Sequence, residues 1–313
     1  MKKIHVIAPS GANPDQKSPL GAIEWFKRQG FEVQNTDCVE RRHQRFSGVD
    51  AERLAEINQI SKLSGDHLVL AMRGGYGLHR LLPDIEWQHI ANAIQNGLQV
   101  CGHSDFTVFQ LGLLAKTAAV SLAGPMLNYD FGSKEDQSDA NPDGFMWQHF
   151  QAAIHERELD CTVEAQQAYL GRSTAGELTG TLWGGNLTIL CSLVGTPYFP
   201  APKQIQGGIL FLEDVNEHPY RIERNLMQLL DAGILSSQSA ILMGGFSAYR
   251  LFDHDQGYDL NAVYEHLRKR LPENIPLLTD LPFGHQANKI TLPVGASGKL
   301  SYKPSGFILQ SKW

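Results

Sequence analysis

Val100-Cys101-Gly102-His103-Ser104-Asp105-Phe106 is the stretch around which the rest of the chain is organised. An apolar run ends at Gly102, a serine and an acid follow, and an apolar helical pattern begins at Phe106. This order predicts a strand, a sharp turn and a helix. Acyl-transfer enzymes place a nucleophilic serine at such a turn, beside the free backbone N–H groups of the helix start. Only half of the G-x-S-x-G pattern is present, so the alternative interpretation is that Ser104 or Asp105 caps the helix.

The composition is typical of a soluble globular protein. The 313 residues are 42% hydrophobic and 19% charged, with a formal net charge of −6. This length predicts one large or two ordinary domains. The acidic balance gives no basic surface for nucleic acid or an anionic membrane, and no apolar stretch approaches the ~20 residues of a membrane span. The four cysteines are scattered and form no C-x-x-C pair, which favours a reducing cytoplasm.

Apolar runs alternate with helical patterns in the first 125 residues. The predicted strands are Ile4–Ala8, Phe31–Val33, His67–Met72, Leu98–Gly102 and Ala119–Leu122. Strands this apolar, separated by helices, predict a three-layer α/β domain with a parallel sheet covered on both faces. Ligands of such sheets bind at the carboxyl ends of the strands. The loops after Ala8, Met72 and Gly102 are therefore expected to meet.

The second half of the chain contains more strand. The predicted strands are Gly180–Trp183, Ile209–Leu212, Ala240–Met243, Pro276–Thr279, Lys289–Leu292 and Phe307–Leu309. The stretch 164–177 has little apolar patterning, which favours a linker. We therefore expect an N-terminal α/β domain over 1–163 that carries the nucleophile, a linker over 164–177, and a smaller β-rich α/β domain over 178–313.

Motifs for the common cofactors are incomplete. Pro9-Ser10-Gly11-Ala12 follows the first predicted strand and lacks the glycines of a dinucleotide-binding loop. The motif of a phosphate-binding loop and that of a zinc-protease histidine pair are both incomplete in this sequence. Asp253-His254-Asp255 is interpreted as a polar turn rather than a metal site. The sequence predicts neither a cofactor nor a metal.

A glycine-rich loop, Arg73-Gly74-Gly75-Tyr76-Gly77, follows the third predicted strand. Glycines let a backbone approach a ligand closely, so a loop N–H could be donated to a developing oxyanion. Arg73 could bind a carboxylate through a bidentate contact. The alternative is an ordinary tight turn with a surface arginine.

Two later segments carry an acid and a base. Glu213 and Asp214 end an apolar strand, where one of them could orient a histidine or both could bind loop N–H groups. His285 lies in a glycine turn between two predicted strands, as a loop-borne base would, although a structural histidine has the same surroundings. Ser104, Glu213 and His285 follow the order of the α/β-hydrolase triad, but order alone does not define a triad.

Together these segments resemble the motifs of the LD-carboxypeptidases, the muramoyltetrapeptide carboxypeptidases, which form a serine-peptidase family. The motifs that occur in the family's order and approximate spacing are Arg73–Gly77, Gly102–Asp105, Trp183–Leu187, Leu212–Asp214 and Phe283–His285. Each motif is weak by itself, whereas five in order are specific. The resemblance covers nearly the whole chain.

The resemblance implies a cytoplasmic homodimer of two-domain chains that acts in peptidoglycan recycling. The implied reaction removes the terminal D-alanine of murein tetrapeptide, cutting after the L-centre of diaminopimelate. By motif position, Ser104 is the implied nucleophile, Glu213 the orienting acid and His285 the base. The backbone N–H groups of Gly75 and Asp105 are the implied oxyanion hole.

The sequence also offers candidate substrate-binding residues and leaves two alternative functions open. Arg73, Tyr76 and Asn186 are the expected substrate-binding residues. A related immunity-type peptidase, which cleaves an aminoacyl-nucleotide antibiotic, would need an aromatic side chain to stack on the nucleobase, and Trp147 and Tyr169 are the candidates. A non-catalytic peptide- or sugar-binding protein would need no triad geometry.

Overall fold

Two β-sheets form the framework of the molecule. A computed structural model describes residues 3–14, 17–132, 142–165, 168–171 and 175–313. The strands are β1 (Lys3–Ile7), β2 (Glu32–Gln34), β3 (His67–Ala71), β4 (Gln99–Gly102), β5 (Ser121–Ala123), β6 (Glu158–Glu164), β7 (Ala168–Tyr169), β8 (Gly176–Asn186), β9 (Ile209–Val215), β10 (Ala240–Ser247), β11 (Leu277–Leu278), β12 (Leu292–Val294), β13 (Ser297–Lys303) and β14 (Gly306–Lys312). The α-helices are α1 (Lys17–Arg28), α2 (Asp50–Gln59), α3 (Trp87–Gln95), α4 (Thr107–Thr117), α5 (Leu127–Asp130), α6 (Gly144–Gln151), α7 (Leu187–Leu193), α8 (Pro202–Ile205), α9 (Pro219–Asp231) and α10 (Leu260–Arg270).

The first sheet has the strand order β12-β5-β4-β3-β1-β2. All neighbours are parallel except β12, which is antiparallel to β5. Along β3, Leu68 and Leu70 pack with α1 and α6, whereas Val69 and Ala71 pack with α2, α3 and α4. Successive side chains of a strand point to opposite faces, so each face is covered by its own helices. The three-layer α/β arrangement predicted from the apolar strands is confirmed.

The second sheet has the order β6-β14-β13-β8-β9-β10-β11-β7. Its centre, from β8 to β11, is parallel, and the strands at both sides are antiparallel. The apolar face of α9 supplies Ile222, Leu226 and Leu229 to the core beneath this sheet. The second half is therefore β-rich, as expected, but its sheet is mixed.

The strands do not follow the domain limits expected from the sequence. β6 begins at Glu158, inside the expected N-terminal domain, yet pairs with β14 in the second sheet. The stretch 164–177, expected to be a linker, includes β7 and the start of β8. β6 buries Leu159, Cys161 and Val163 and exposes the residues between them. Because its apolar residues alternate with polar ones, β6 lacks the continuous apolar run on which the sequence prediction depended.

The two halves meet through strand and helix contacts. β12 comes from the second half of the sequence and pairs with β5 of the first sheet. Thr107, the first residue of α4, accepts a hydrogen bond of 3.1 Å at Oγ1 from the backbone N–H of Asn186, the last residue of β8. This contact brings the carboxyl end of β4 next to the carboxyl ends of β8 and β9.

Candidate active site

Ser104 lies in the turn between β4 and α4. The strand is fully buried, and a short 3₁₀ turn, Ser104–Phe106, leads into the helix. Ser104 has a φ of 61°, a left-handed conformation that is costly for a residue other than glycine. Surrounding structure must hold such a residue in place, and strained residues of this kind cluster at functional sites. The strand, sharp turn and helix agree with the sequence prediction.

Asp105 does not cap the helix. Its Oδ2 accepts hydrogen bonds from Ser10 Oγ at 2.7 Å and from the backbone N–H of Leu78 at 3.1 Å. No side chain caps the start of the 3₁₀ turn or of α4. Burial raises the pKa of Asp105, and the bonds from Ser10 and Leu78 oppose that rise. Asp105 thus ties together the loops after β1, β3 and β4, which meet as expected.

The glycine-rich loop after β3 packs directly on the serine. A Cβ atom at Gly74 would lie 2.7 Å from both Cβ and Oγ of Ser104 and 3.1 Å from the backbone N of Asp105. Gly75 has a φ of 106°, which side chains rarely tolerate. Only glycine at position 74 allows the loop backbone to approach Ser104 this closely. The arrangement fits a backbone site for an oxyanion formed at the serine.

Gly74→Ala is expected to lower the kcat of a reaction at Ser104 by ~10²-fold, the effect of displacing a reacting group by about 1 Å. The added methyl group must push Ser104 away, because backbone and a short side chain surround it. Circular dichroism should stay near that of the wild type, whereas the Tm should fall, because overpacking costs ~1–3 kcal/mol.

Gly144→Ala is the matched control, since no atom of the described residues beyond its own helix and chain neighbours lies within 4 Å of a Cβ atom at that position. Full activity of Gly74→Ala would show that the loop does not position the serine.

Arg73 and Tyr76 flank the glycine loop. Arg73 Nη1 donates to the carbonyl oxygen of Ala12 at 2.7 Å, and its guanidinium lies 5.8 Å from the ring centroid of Tyr129. Tyr76 is exposed, with its ring 6.1 Å from that of Phe46. Arg73 is therefore anchored at one nitrogen beside the loop, and Tyr76 is accessible.

Glu213 and His285 form a direct pair. Glu213 Oε2 lies 2.7 Å from Nδ1 of His285, and the glutamate side chain is completely buried. A carboxylate only accepts, so Nδ1 donates and Nε2 is the nitrogen left to accept a proton. Burial lowers the pKa of His285, but the hydrogen bond and charge of Glu213 outweigh it and raise the pKa above its ordinary value. Glu213 is thus placed to stabilise an imidazolium ion.

Asp214, the neighbouring acid, points to a different set of partners. It accepts hydrogen bonds from the backbone N–H and the hydroxyl of Thr188, at 3.0 and 2.8 Å, and from Asn186 Nδ2 at 2.9 Å. Burial raises the pKa of Asp214, and the nearby charge of Glu213 adds to that rise. Of the two acids, only Glu213 contacts His285 among the residues that the structure describes.

Asn186 is a structural part of the site rather than an exposed substrate contact. Its Nδ2 donates to Glu213 at 3.2 Å and to Asp214 at 2.9 Å, and its Oδ1 accepts from the N–H of Ile189 to cap α7. Asn186 and Glu213 are paired residues of the neighbouring strands β8 and β9. Both amide donors are in use and the residue is buried. Its side chain is engaged in holding the two acids, and the expectation that Asn186 also binds substrate stays a prediction.

The histidine loop runs from the second sheet back to the first. It leaves after β11 and returns as β12, and Gly245 of β10 donates its N–H to the carbonyl oxygen of Phe283 at 2.7 Å. The His285 ring lies 5.0 Å from the ring of His103, the residue before Ser104. No hydrogen bond joins Ser104 to His285 in the described ranges. Hydrogen bonds between a nucleophile and its base often tighten only when a substrate binds.

The structure also reveals polar groups that the sequence reasoning missed. Lys289 Nζ and Asp130 Oδ1 form a buried ion pair at 2.6 Å beside His103. Lys289 was expected to begin an apolar strand. Because a lysine in such an apolar run requires a buried partner, Lys289 itself was the sequence signal that pointed to a buried ion pair. Among the described residues, no group of three or more His, Cys, Asp or Glu side chains could hold a metal ion.

Comparison with known proteins covers most of the chain. Residues 4–124 match the N-terminal domain and residues 179–300 the C-terminal domain of the LD-carboxypeptidases. A crystal structure of muramoyltetrapeptide carboxypeptidase from Oxalobacter formigenes is 41% identical, covers 100% of this chain and 99% of its own, and superposes with a TM-score of 0.86. The murein tetrapeptide carboxypeptidase of Pseudomonas aeruginosa is 28% identical, over 95% of this chain and 92% of its own length.

The comparison also includes an immunity protein. The microcin C7 self-immunity protein MccF of Escherichia coli is 26% identical over 87% of this chain and 82% of its own length. It is less similar and less fully covered than the two carboxypeptidases. The two domain matches together span most of the sequence, and the Oxalobacter protein exceeds two-fifths identity over the full chain. The chain therefore belongs to the LD-carboxypeptidase family.

Proposed function

We propose that this chain is a serine-type LD-carboxypeptidase that removes the terminal D-alanine from murein tetrapeptide during peptidoglycan recycling. The observation that carries the proposal is the buried Glu213–His285 pair beside the strained Ser104 turn, in a chain of this family. The carboxypeptidases named above supply the substrate class.

The first chemical step forms a bond to the serine. His285 Nε2 takes the proton of the Ser104 hydroxyl, and Oγ attacks the carbonyl carbon between the L-centre and D-alanine. Glu213, fixed by Asn186, keeps the proton on Nδ1 and stabilises the imidazolium. The backbone N–H groups of Gly75 and Asp105 donate to the oxyanion of the tetrahedral intermediate.

The second half of the reaction releases both products. The intermediate collapses, the amide C–N bond breaks, and His285 gives its proton to the amine of D-alanine. Water then attacks the acyl-enzyme with His285 as base, which yields the tripeptide carboxylate and restores Ser104. Each step uses only groups of this chain, substrate and water.

Recognition of a free chain end is the next part of the proposal. Arg73 is a cation beside the glycine loop, and its Nη2 lies 3.4 Å from the position of a Cβ atom at Gly75. Since Nη1 is held by Ala12, the guanidinium has a fixed place from which Nη2 can donate to the carboxylate of D-alanine. Tyr76 is accessible on the same loop and is proposed to line the substrate site.

Pentapeptide is expected to be hydrolysed with a kcat/KM at least about fivefold below that of tetrapeptide. An extra residue places a neutral amide where a carboxylate belongs, and each mispaired polar group costs ~1–3 kcal/mol. Tetrapeptide with an amidated C-terminus should be slowed for the same reason. Rates on the three peptides, measured side by side by chromatography, check this.

Arg73→Ala should raise KM more for tetrapeptide than for the amidated form, since only the former offers a charge to the guanidinium. Arg270→Ala is the control: it removes an exposed arginine that pairs with Asp231 on the surface. If Arg73→Ala raised KM equally for both peptides, Arg73 would only support the loop.

Activity is expected to fall as the pH drops through the pKa of His285, which lies above 6.5, the ordinary pKa of a histidine. A general base must be neutral, and the pKa of His285 is raised, so protonation removes the base at a higher pH than for an ordinary histidine. The pH profile of kcat/KM tests this, because it reports groups of the free enzyme. An acid limb well below that pH would contradict the role of His285.

The immunity-type peptidase is the weaker alternative. Trp147 lies in an aromatic cluster, with its ring 4.7 Å from that of Trp25 and 5.8 Å from that of Phe150. Tyr169 is buried, with its ring 6.0 Å from that of Tyr264. Both candidate stacking residues are thus used in packing. Incubation with an aminoacyl sulfamoyl adenosine should give no cleavage under conditions in which tetrapeptide is consumed.

A binding protein without catalysis is not favoured by the geometry. Such a protein has no need to bury a glutamate against a histidine beside a strained serine, because the strain and the buried acid both cost stability. The Ser104→Ala variant distinguishes a peptidase from a binding protein. A peptidase would lose its hydrolytic activity, whereas a binding protein would keep its affinity for the peptide or sugar.

A cytoplasmic homodimer is the proposed state of the protein, and its support is the family resemblance. No helix within the described part of the chain is long and apolar enough to cross a membrane. Sedimentation equilibrium of the full chain tests the dimer; a single species of 34.7 kDa would contradict it.

A further inference from the structure

A buried ion pair lies next to the catalytic histidine loop. Lys289 Nζ and Asp130 Oδ1 are 2.6 Å apart, and the two side chains are 2% and 8% exposed. Buried charges are costly even when paired, and replacement by apolar residues is often neutral or stabilising. Stability alone therefore gives little reason for a lysine and an aspartate at these positions.

The pair links the segment that carries the base to the segment beside the nucleophile. Lys289 lies four residues after His285, on the way back to β12. Asp130 ends α5, which follows β5, and its Oδ2 accepts a 2.8 Å hydrogen bond from the N–H of Met126. The same Oδ2 lies 3.9 Å from Nδ1 of His103, which precedes Ser104.

We propose that the Asp130–Lys289 pair is a positioning device for His285, which fixes the histidine loop against the serine turn and adds no net charge to that of Glu213 beside the imidazole. The inference rests on the proposed function, in which His285 is the base. Neither Asp130 nor Lys289 is proposed to touch substrate.

The charges around His285 explain why both members are needed. The groups that face it are Glu213 from β9, His103 from the serine turn, Lys289 from its own loop and Asp130 from α5. Lys289 lowers the pKa of His285 and Asp130 raises it, so the pair contributes opposite effects beside the larger effects of burial and Glu213.

His103 adds no charge to this balance. Burial and the neighbouring Lys289 and His285 hold the pKa of His103 well below its ordinary value, and its Nδ1 donates to the carbonyl oxygen of Gly124 at 2.9 Å. The imidazole that faces His285 is therefore neutral. The pair and Glu213 are left to determine the charge that His285 experiences.

The experiment compares Asp130→Asn, Lys289→Met and the double variant by the pH profile of kcat/KM on tetrapeptide. Asp130→Asn leaves the positive charge of Lys289 unpaired, which lowers the pKa of His285, so the acid limb of the pH profile should move to lower pH. Lys289→Met leaves the negative charge of Asp130 unpaired, which raises that pKa, so the acid limb should move to higher pH. Each shift should be roughly half a pH unit or more, as expected when one nearby charge is removed. The double variant should return the acid limb to its wild-type position. Its maximal kcat/KM should stay below that of the wild type, because the histidine loop has lost the ion pair that fixes it.

Two further variants complete the design. Lys289→Arg keeps the charge and should leave the acid limb in place. Lys299→Met removes an exposed lysine that pairs with Glu177 at 3.2 Å, and should change neither limb nor plateau. The double variant replaces the ion pair by neutral side chains, so it provides a folded reference if a single variant, with one buried charge unpaired, does not fold.

NMR titration of the His285 ring in the same proteins separates this inference from the proposed function. Opposite shifts of the His285 pKa in the two single variants support the inference. If the acid limb of kcat/KM does not shift with them, His285 is not the base and the proposed mechanism fails, while the inference stands. Shifts in the same direction, or in neither variant, overturn the inference and leave the function standing.

Discussion

Ser104→Ala is expected to leave a folded protein whose kcat on murein tetrapeptide is lower by ~10⁴-fold or more. The hydroxyl is the group that forms the acyl-enzyme in the proposed mechanism, and no other described side chain replaces it at the turn. The substitution keeps the Cβ atom that packs against Gly74. The φ of 61° is as costly for alanine as for serine, so the Tm should change little.

Discontinuous assay of tetrapeptide consumption, together with circular dichroism, checks this prediction. Ser192→Ala is the matched control, because that serine is exposed and, among the described residues, its hydroxyl bonds only to the carbonyl oxygen of Ile189 within α7. Activity of Ser104→Ala within tenfold of wild type would rule out the serine mechanism.

Glu213→Gln is expected to lower kcat by roughly 10³–10⁴-fold, as the corresponding acid-to-amide change does in a serine-protease triad. If the new amide donates to Nδ1 of His285, the ring must carry its proton on Nε2 and cannot accept the proton of Ser104. The negative charge that stabilises the imidazolium is lost as well. Turnover of tetrapeptide by the folded variant is the measurement.

Asp214→Asn is the matched comparison. It should lower the Tm, since Asp214 accepts bonds from Thr188, Asn186 and the N–H of Val215 that one amide oxygen cannot all accept. Its kcat should stay within about tenfold of wild type, because Asp214 has no contact with His285. A larger loss of turnover in Asp214→Asn than in Glu213→Gln, with both proteins folded, would reverse the assignment.

The centre of the first sheet was predictable because β3 and β4 lie in apolar runs separated by helical patterns. The strand before Ser104 and the sharp turn were evident from Gly102 and the polar residues after it. β6 and β13 were missed because polar residues alternate with apolar ones along them, as is typical of strands with one exposed face. Sequence periodicity also gave no sign that β12 returns to the first sheet, since strand pairing is a long-range property.

The candidate site was predictable only in its separate pieces. Local residues pointed to a serine turn, a glycine loop, an acid and a histidine, but they did not say whether Glu213 or Asp214 faces His285. That choice came from the family resemblance. The bond network around Asn186 and the Asp130–Lys289 pair depends on contacts between residues that are 27 to 159 positions apart in the chain. Such contacts follow from the packing of both sheets and leave no local signal.

The measurement that tests the central claim most directly is mass spectrometry of purified murein tetrapeptide after incubation with the wild-type protein. The predicted result is one cut that yields the tripeptide and free D-alanine, with no further shortening of the tripeptide and no products from Ser104→Ala. Tetrapeptide that stays intact, a cut at any other bond, or equal cleavage by Ser104→Ala would contradict the account.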